Sequence, residues 1–212
     1  MTKKVFIHGS GHKATSWRRT TSCMNDYDDI LCPNLASLLD GKAASYDALY
    51  TAFANYCSEL AGPIHLCGLS LGGILALNVA LDFPDKVRSL VLMGTPYKVP
   101  KLAFQFQNLI FRLLPAITFE TMAFDKTNTF ALGHSMTALD FSQRLSDVRC
   151  PTLVLCGSKD RANLKSARYL ARNISQAELH VLENAGHVLN EECPEALAKI
   201  LTEFYAIQDG DC

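Results

Sequence analysis

The chain has 212 residues, of which 49% are hydrophobic and 19% charged, and its formal net charge is −1. This length and composition predict one compact globular domain, residues 1–212, and exclude a disordered chain. No Lys/Arg cluster stands out, and no apolar stretch reaches the roughly 20 residues of a membrane span, which argues against a nucleic-acid partner and a transmembrane segment.

Short apolar runs alternate with helical stretches along most of the chain. The runs predicted as strands are Val5–His8, Asp29–Cys32, Ile64–Gly68, Val87–Met93, Thr152–Cys156 and Glu178–Leu182. The stretches predicted as helices cover about residues 14–24, Tyr46–Leu60, Leu71–Leu81, about Leu164–Asn173 and about Pro194–Ile207.

The alternation predicts an α/β fold with a doubly wound, mostly parallel sheet of about six strands. Its strands are continuously apolar, which indicates that helices cover both faces. A ligand site is expected at the carboxyl ends of the strands. Residues 96–147 contain no clear strand, and we interpret them as a short helical lid inserted over the sheet.

The turn after the first strand, Gly9–Ala14, has three interpretations. It matches the dinucleotide fingerprint G-x-G-x-x-A, but the second strand ends in Cys32-Pro33-Asn34, without the acidic residue that a ribose requires. A phosphate-binding P-loop needs Lys directly after Gly, and His12 stands there instead. The third interpretation is an oxyanion-binding turn, which requires a nucleophile elsewhere in the chain.

Gly68-Leu69-Ser70-Leu71-Gly72 supplies that nucleophile, because it places G-x-S-x-G between a buried strand and a helix. The alternative is that Ser70 only caps the helix that begins near Leu71.

A serine hydroxyl needs a base, and the base needs an acceptor that fixes its tautomer. His187 follows the last predicted strand, and Asp160 follows the strand before it, so both lie at the carboxyl edge with Ser70. The alternatives are a plain loop histidine and an ordinary turn or capping aspartate. The order Ser70, Asp160, His187 matches the nucleophile–acid–base order of one hydrolase fold.

With these motifs in place, the chain resembles a small carboxylesterase-like member of the α/β-hydrolase superfamily. The resemblance covers nearly the whole chain and rests on four ordered motifs: HGSG (8–11), GLSLGG (68–73), PTLVLCGSKD (151–160) and NAGHVLNEECPEAL (184–197). It implies that the backbone N–H groups of Ser10 and Leu71 form the oxyanion hole.

The substrate pocket is less sharply defined. Trp17 is expected either to form a pocket wall or to lie in the core, and His12 to line the mouth of the site. The apolar density of residues 96–147, including Phe104 and Phe111, predicts either an apolar inner face of the lid or simple packing of the lid onto the sheet.

These features predict a serine hydrolase that cleaves a small to medium, largely apolar ester through an acyl-enzyme, without metal or organic cofactor. One alternative is hydrolysis or elimination at a carbon–carbon bond by the same triad, which a charged residue such as Arg112 in the site would favour. The other is a non-catalytic protein that binds a small molecule. We expect a monomer or a homodimer.

The chain has eight cysteines and no C-x-x-C pair. Because several of them fall in predicted strands, we interpret them as reduced thiols. Together with the lack of a recognisable signal peptide, this predicts a cytoplasmic protein.

Overall fold

A six-stranded parallel sheet forms the centre of the protein, in a computed structural model that describes residues 2–24, 29–99 and 122–210. The strands lie in the order β2-β1-β3-β4-β5-β6. Their bounds are β1 Lys4–Ile7, β2 Ile30–Leu31, β3 Ile64–Leu69, β4 Val87–Met93, β5 Thr152–Gly157 and β6 Ala177–Leu182. The predicted doubly wound parallel sheet is confirmed.

Helices follow the strands in alternation. Their bounds are α1 Arg18–Thr21, α2 Leu35–Leu38, α3 Tyr46–Glu59, α4 Leu71–Asp82, α5 Lys126–Met136, α6 Arg161–Asn173, α7 Leu189–Glu192 and α8 Pro194–Asp209. Short 3-10 segments occupy Ala14–Trp17, Pro84–Lys86 and Leu145–Asp147. Within the described ranges, no helix is both long and apolar enough to cross a lipid bilayer.

The central strands are apolar on both sides because each side faces a different core. In β3, Leu66 packs in a core with α3 and α4, whereas Cys67 and Leu69 pack in a second core with α8. In β4, Leu90 and Leu92 face the first core, and Val91 and Met93 the second. Alternate side chains point to opposite faces of a strand, so a doubly covered sheet requires continuous apolar sequence.

The structure corrects the expected role of Trp17 as a pocket wall. Its side chain has no exposed surface, and its ring meets Phe6 edge-on, with 5.0 Å between the ring centroids. The chain after the first turn winds into the 3-10 segment Ala14–Trp17 before α1, instead of one helix over 14–24. This winding places the indole in the second core, which was the alternative interpretation.

The predicted lid, residues 96–147, is described only in part. Phe104, Phe111 and Arg112 lie outside the described residues. Beyond them, α5 lies against α3, where the backbone N–H of Tyr46 donates to the Ser135 hydroxyl at 2.8 Å. Leu132 and Met136 of α5 are buried in the first core, as is Phe124. This part of the segment is therefore packed onto the body of the domain.

Candidate active site

The carboxyl ends of four neighbouring strands bring the predicted site residues to one edge of the sheet. Ser70 follows β3, Gly94 follows β4, Asp160 lies three residues beyond β5, and His187 lies in the loop after β6. Because all strands are parallel, each of these positions lies at the same edge.

Ser70 lies in a strained turn between β3 and α4. Its backbone dihedrals are φ 54° and ψ −113°, which a residue with a side chain rarely adopts. Its backbone N–H donates to the Met93 carbonyl at 2.8 Å, which ties the turn to the end of β4. The side chain makes no capping hydrogen bond to α4. The capping alternative therefore has no geometric support.

The glycines on either side of Ser70 allow the sharp turn. A Cβ on Gly68 would collide with the backbone of Gly72, and a Cβ on Gly72 would collide with the backbone of Ile7 in β1. Strand and helix thus approach more closely than any side chain permits. This close packing holds the Ser70 side chain up at the edge of the sheet.

His187 and Asp160 form a hydrogen-bonded pair, with 2.7 Å between Nδ1 of His187 and Oδ2 of Asp160. Asp160 is 8% exposed. Burial alone raises the pKa of its carboxyl, but the hydrogen bonds from His187 and Asn163 outweigh burial and hold this pKa below its usual value. The carboxylate therefore stays ionised and can stabilise a proton on His187.

Gly94 lies between the His187–Asp160 pair and the residue that binds the Ser70 backbone. A Cβ on Gly94 would lie 2.7 Å from Cε1 of His187 and 3.4 Å from Oδ2 of Asp160. The imidazole ring is thus packed against Gly94, directly after Met93, the residue that binds the Ser70 backbone. The predicted nucleophile and the predicted base thus contact two adjacent residues of the chain, Met93 and Gly94 respectively.

The turn after β1 lies at the same edge of the sheet, next to Ser70. A Cβ on Gly9 would lie 3.6 Å from both Cβ of Ser70 and Nδ1 of His12. Within the described part of the chain, the backbone N–H groups of Ser10 and Leu71 donate to no backbone carbonyl.

His8 fixes the shape of this turn from below. Its Nε2 accepts the backbone N–H of Leu35 at 3.1 Å, so its Nδ1 carries the proton and donates to the Gly9 carbonyl at 2.8 Å. Burial lowers the pKa of His8, which keeps the ring in this neutral form.

His12 lies beside the predicted catalytic pair. Burial lowers the pKa of His12, while Glu191 raises it and His187 lowers it by smaller amounts. The cleft next to His12 has a volume of about 350 Å³, and its lining residues are Gly11, His12, Lys13, Thr15, Ser16 and Glu191. No set of three or more His, Cys, Asp or Glu side chains in the described ranges is arranged to hold a metal ion.

Two residues around the pair were not anticipated from the sequence. The side-chain amide of Asn163 donates to both Asp160 oxygens at 2.9 Å. The Glu192 carboxylate accepts the backbone N–H groups on either side of His187, from Gly186 at 2.6 Å and from Val188 at 3.0 Å.

A parallel sheet that brings a strained serine and a histidine–aspartate pair to the carboxyl ends of its strands is typical of the α/β-hydrolase class of proteins. Residues 5–200 match the model of the alpha/beta hydrolase family. The chain belongs to this family.

The individual relatives that match share less than a third of their residues with this chain. The chain is 28% identical to a 2-hydroxy-6-oxononadienedioate/2-hydroxy-6-oxononatrienedioate hydrolase of Burkholderia vietnamiensis, over 94% of this chain and 85% of the relative. It is similar in structure to an enol-lactonase of Burkholderia xenovorans, with a TM-score of 0.80 and 16% identity. This match covers 97% of this chain and 92% of the enol-lactonase. It is also similar in structure to an esterase of Thermogutta terrifontis. The TM-score is 0.79 and the identity 20%, and the match covers 98% of this chain and 90% of the esterase.

Proposed function

We propose that this protein hydrolyses a carbon–carbon bond next to a ketone in a conjugated keto acid. The observation that carries a hydrolytic function is the 2.7 Å pair of His187 and Asp160 at the same edge as the strained Ser70. The choice of bond rests on the Burkholderia vietnamiensis relative. The compound in its name has carboxylates, a hydroxyl and a ketone but no ester or amide, so its hydrolysis must break a carbon–carbon bond.

The proposed reaction begins at the ketone. His187, with Nδ1 facing Asp160, takes the Ser70 proton through its other ring nitrogen, and Ser70 Oγ adds to the ketone carbon. The backbone N–H groups of Ser10 and Leu71 hold the resulting oxyanion. One well-placed donor of this kind contributes about 2.7–4 kcal/mol in a well-studied protease.

Collapse of the oxyanion breaks the carbon–carbon bond and leaves an acyl group on Ser70. This step requires the keto tautomer, in which the 2-hydroxyl proton has moved to the carbon next to the ketone. The electron pair then passes to that carbon and is shared with the adjacent C=C–C=O group as a dienolate, which takes the proton from His187. A water molecule then gives a proton to His187 and its hydroxyl to the acyl carbon. The acid is released, and Ser70 recovers its proton.

Ester cleavage, which the sequence analysis favoured, is the second candidate. It uses the same residues with an alkoxide as the leaving group. Its support is the likeness to an esterase and an enol-lactonase, which at 20% and 16% identity carries the fold alone. The Burkholderia vietnamiensis hydrolase matches this chain by sequence, and it therefore gives carbon–carbon cleavage more weight than ester cleavage.

The experiment compares the two bonds on one enzyme preparation. Purified protein and the variant Ser70→Ala receive 2-hydroxy-6-oxononadienedioate in one assay and p-nitrophenyl butyrate in another, in H₂¹⁸O with products read by mass spectrometry. A fluorophosphonate labels reactive serines in parallel, with peptide mapping of the adduct. We expect a labelled Ser70, cleavage next to the ketone, and ¹⁸O in the acid derived from the acyl half.

The other outcomes separate the alternatives. Ser70-dependent turnover of the ester without cleavage of the dioate would establish the second candidate instead. A folded protein that takes no label and turns over neither compound would leave the non-catalytic binding protein as the better description.

A further inference from the structure

Asn163 contacts both members of the predicted acid–base pair. Its Nδ2 lies 2.9 Å from Oδ1 and 2.9 Å from Oδ2 of Asp160, and 3.3 Å from Nδ1 of His187. Since Nδ1 of His187 donates to Asp160, the Asn163 amide cannot also donate to that nitrogen. The Asn163 amide therefore donates to the carboxylate, whose two oxygens share this one nitrogen as donor.

The Asp160 carboxylate has a second task, because it caps α6. Its Oδ1 accepts the backbone N–H of Asn163, at a long 3.3 Å. By itself, this backbone contact would allow the carboxylate to turn about its χ angles. The Asn163 side chain removes that freedom, since it joins Oδ1 and Oδ2 to one amide group and leaves Oδ2 directed at His187.

We propose that Asn163 is a positioning residue, which holds the Asp160 carboxylate in the orientation that His187 requires and takes up part of its negative charge. This inference rests on the proposed catalytic role of His187 and Asp160. It goes beyond that role because it assigns control of the pair to a residue outside the Ser-Asp-His set.

Few other groups near Asp160 could orient its carboxylate or share its negative charge. Its titratable neighbours in the described residues are His187, from the loop after β6, and the Cys156 thiol of β5, whose pKa burial raises to about 11. Further out, His12 and Glu191 face the His187 side of the pair. Cys156 is thus neutral at physiological pH, and Asn163 is the donor that shares Asp160 with His187.

The charge-sharing role has a defined consequence for pH dependence. Without the Asn163 donors, the pKa of Asp160 rises, because hydrogen bonds to its charged form have been lost. A higher pKa of Asp160 moves the acid limb of Ser70 reactivity to higher pH, because the carboxylate that orients His187 is then lost earlier as the pH falls.

The experiment uses the rate of fluorophosphonate labelling of Ser70 between pH 5 and 9, which needs no knowledge of the substrate. The variants are Asn163→Leu, which removes the donors, and Asn163→Asp, which places a second carboxylate beside Asp160. Asn173→Leu is the matched control, because Asn173 lies at the other end of α6 and its side chain donates to the Tyr169 carbonyl, away from Asp160. Thermal unfolding of each variant establishes that it is folded.

We expect labelling at pH 7 to slow about 10-fold in Asn163→Leu and more in Asn163→Asp, below the ~10⁴-fold that alteration of the carboxylate itself costs in a serine protease. The acid limb should move to higher pH in both variants and stay in place in Asn173→Leu. A carbon-13 titration of the Asp160 carboxyl should show a higher pKa in Asn163→Leu than in the unaltered protein.

If a folded Asn163→Leu variant shows an unchanged labelling rate and pH profile, the inference is overturned. Asn163 would then be only a residue of the first turn of α6. Normal labelling with no cleavage of the dioate would contradict the proposed function and leave the role of Asn163 standing. If the unaltered protein takes no label, the proposed catalytic role fails, and the Asp160 titration alone decides whether Asn163 shares its charge.

Discussion

Among the residues that the structure describes, two histidine–aspartate pairs lie at the opposite ends of β3. Beyond the carboxyl end, His187 and Asp160 are 2.7 Å apart. At the amino end, Nε2 of His65 lies 3.1 Å from Oδ1 of Asp209, and Nδ1 of His65 lies 2.7 Å from the Ser89 hydroxyl. Both ends therefore bring together a serine, a histidine and an aspartate.

Exposure and neighbouring charge distinguish the two pairs. The side chain of His187 is 37% exposed, whereas His65 and Ser89 are completely buried. Lys4 and Arg88 also pair with Asp209, at 3.7 and 3.2 Å. No lysine or arginine among the described residues pairs with Asp160.

The comparison shows that residue types alone do not define a site. At the amino end no substrate can reach the serine, and the pair serves to pin α8 to β3 and β4. At the carboxyl end the histidine opens to solvent beside a strained serine. Substitutions at the two ends should consequently affect different properties, one reactivity and the other stability.

The largest effect is expected for His187→Gln. Loss of the base should slow labelling of Ser70 by about 10²–10⁴-fold, the usual contribution of a general base. The urea unfolding midpoint should stay close to that of the unaltered protein, because the ring is partly exposed. If labelling is unchanged, the base is another residue, and His12 is then the first to substitute.

His65→Ala should show the reverse pattern. Removal of the ring leaves the Ser89 hydroxyl buried without its partner, which costs about 1–3 kcal/mol of the free energy of unfolding. Urea denaturation measures this loss, and labelling of Ser70 should keep its rate. The matched control is His180→Ala, since His180 is exposed on β6 and should change stability by less than about 0.5 kcal/mol. Equal stability of the two variants would show that the buried pair does not pin α8.

Gly94→Ala should affect both properties. The added methyl would meet the His187 ring at 2.7 Å, and Gly94 has a positive φ of 52°. Gly41→Ala separates the two causes, because Gly41 also has a positive φ, 76°, but has nothing within 4 Å of its Cβ position. Both variants should lose about 1 kcal/mol or more of stability to backbone strain. Only Gly94→Ala should slow labelling, and a similar slowing in Gly41→Ala would contradict the packing of His187 on Gly94.

A further prediction concerns the pH dependence of stability in the unaltered protein. Burial lowers the pKa of His65 and of His8, so below about pH 6.5 the unfolded chain binds protons that the folded protein refuses. The free energy of unfolding should therefore fall as pH drops from 7.5 through 6.5 to 5.5. Each histidine contributes at most about 1.4 kcal/mol per pH unit. His65→Ala should show a shallower slope, and an identical slope would mean that His65 takes up its proton in the folded state.

The sequence predicted the elements whose signals are local and apolar. β4 has the predicted bounds, Val87–Met93, because a continuous apolar run ends at Gly94. The start of α6 was placed three residues too late, at Leu164, because its first turn is polar and the apolar spacing begins only there. Arg161 begins the helix, and its start depends on the cap from Asp160.

The same limit applies to the site. The order of Ser70, Asp160 and His187 along alternating strands and helices predicted their common edge. The contacts of Asn163 could not be predicted, because they follow from the early start of α6. Glu192 binds two backbone N–H groups, and backbone N–H groups leave no trace in a sequence. Trp17 was ambiguous because its direction depends on a 3-10 turn.

Ser70 and Asp160 would fare differently in a descendant of this protein that no longer needed catalysis. Asp160 caps α6, so selection for stability alone would retain it. Ser70 has a positive φ that costs on the order of 1–3 kcal/mol, and glycine at this position would relieve the strain. Drift would therefore remove the serine first. Among family members, a serine at this turn is a better sign of a working enzyme than an aspartate after β5.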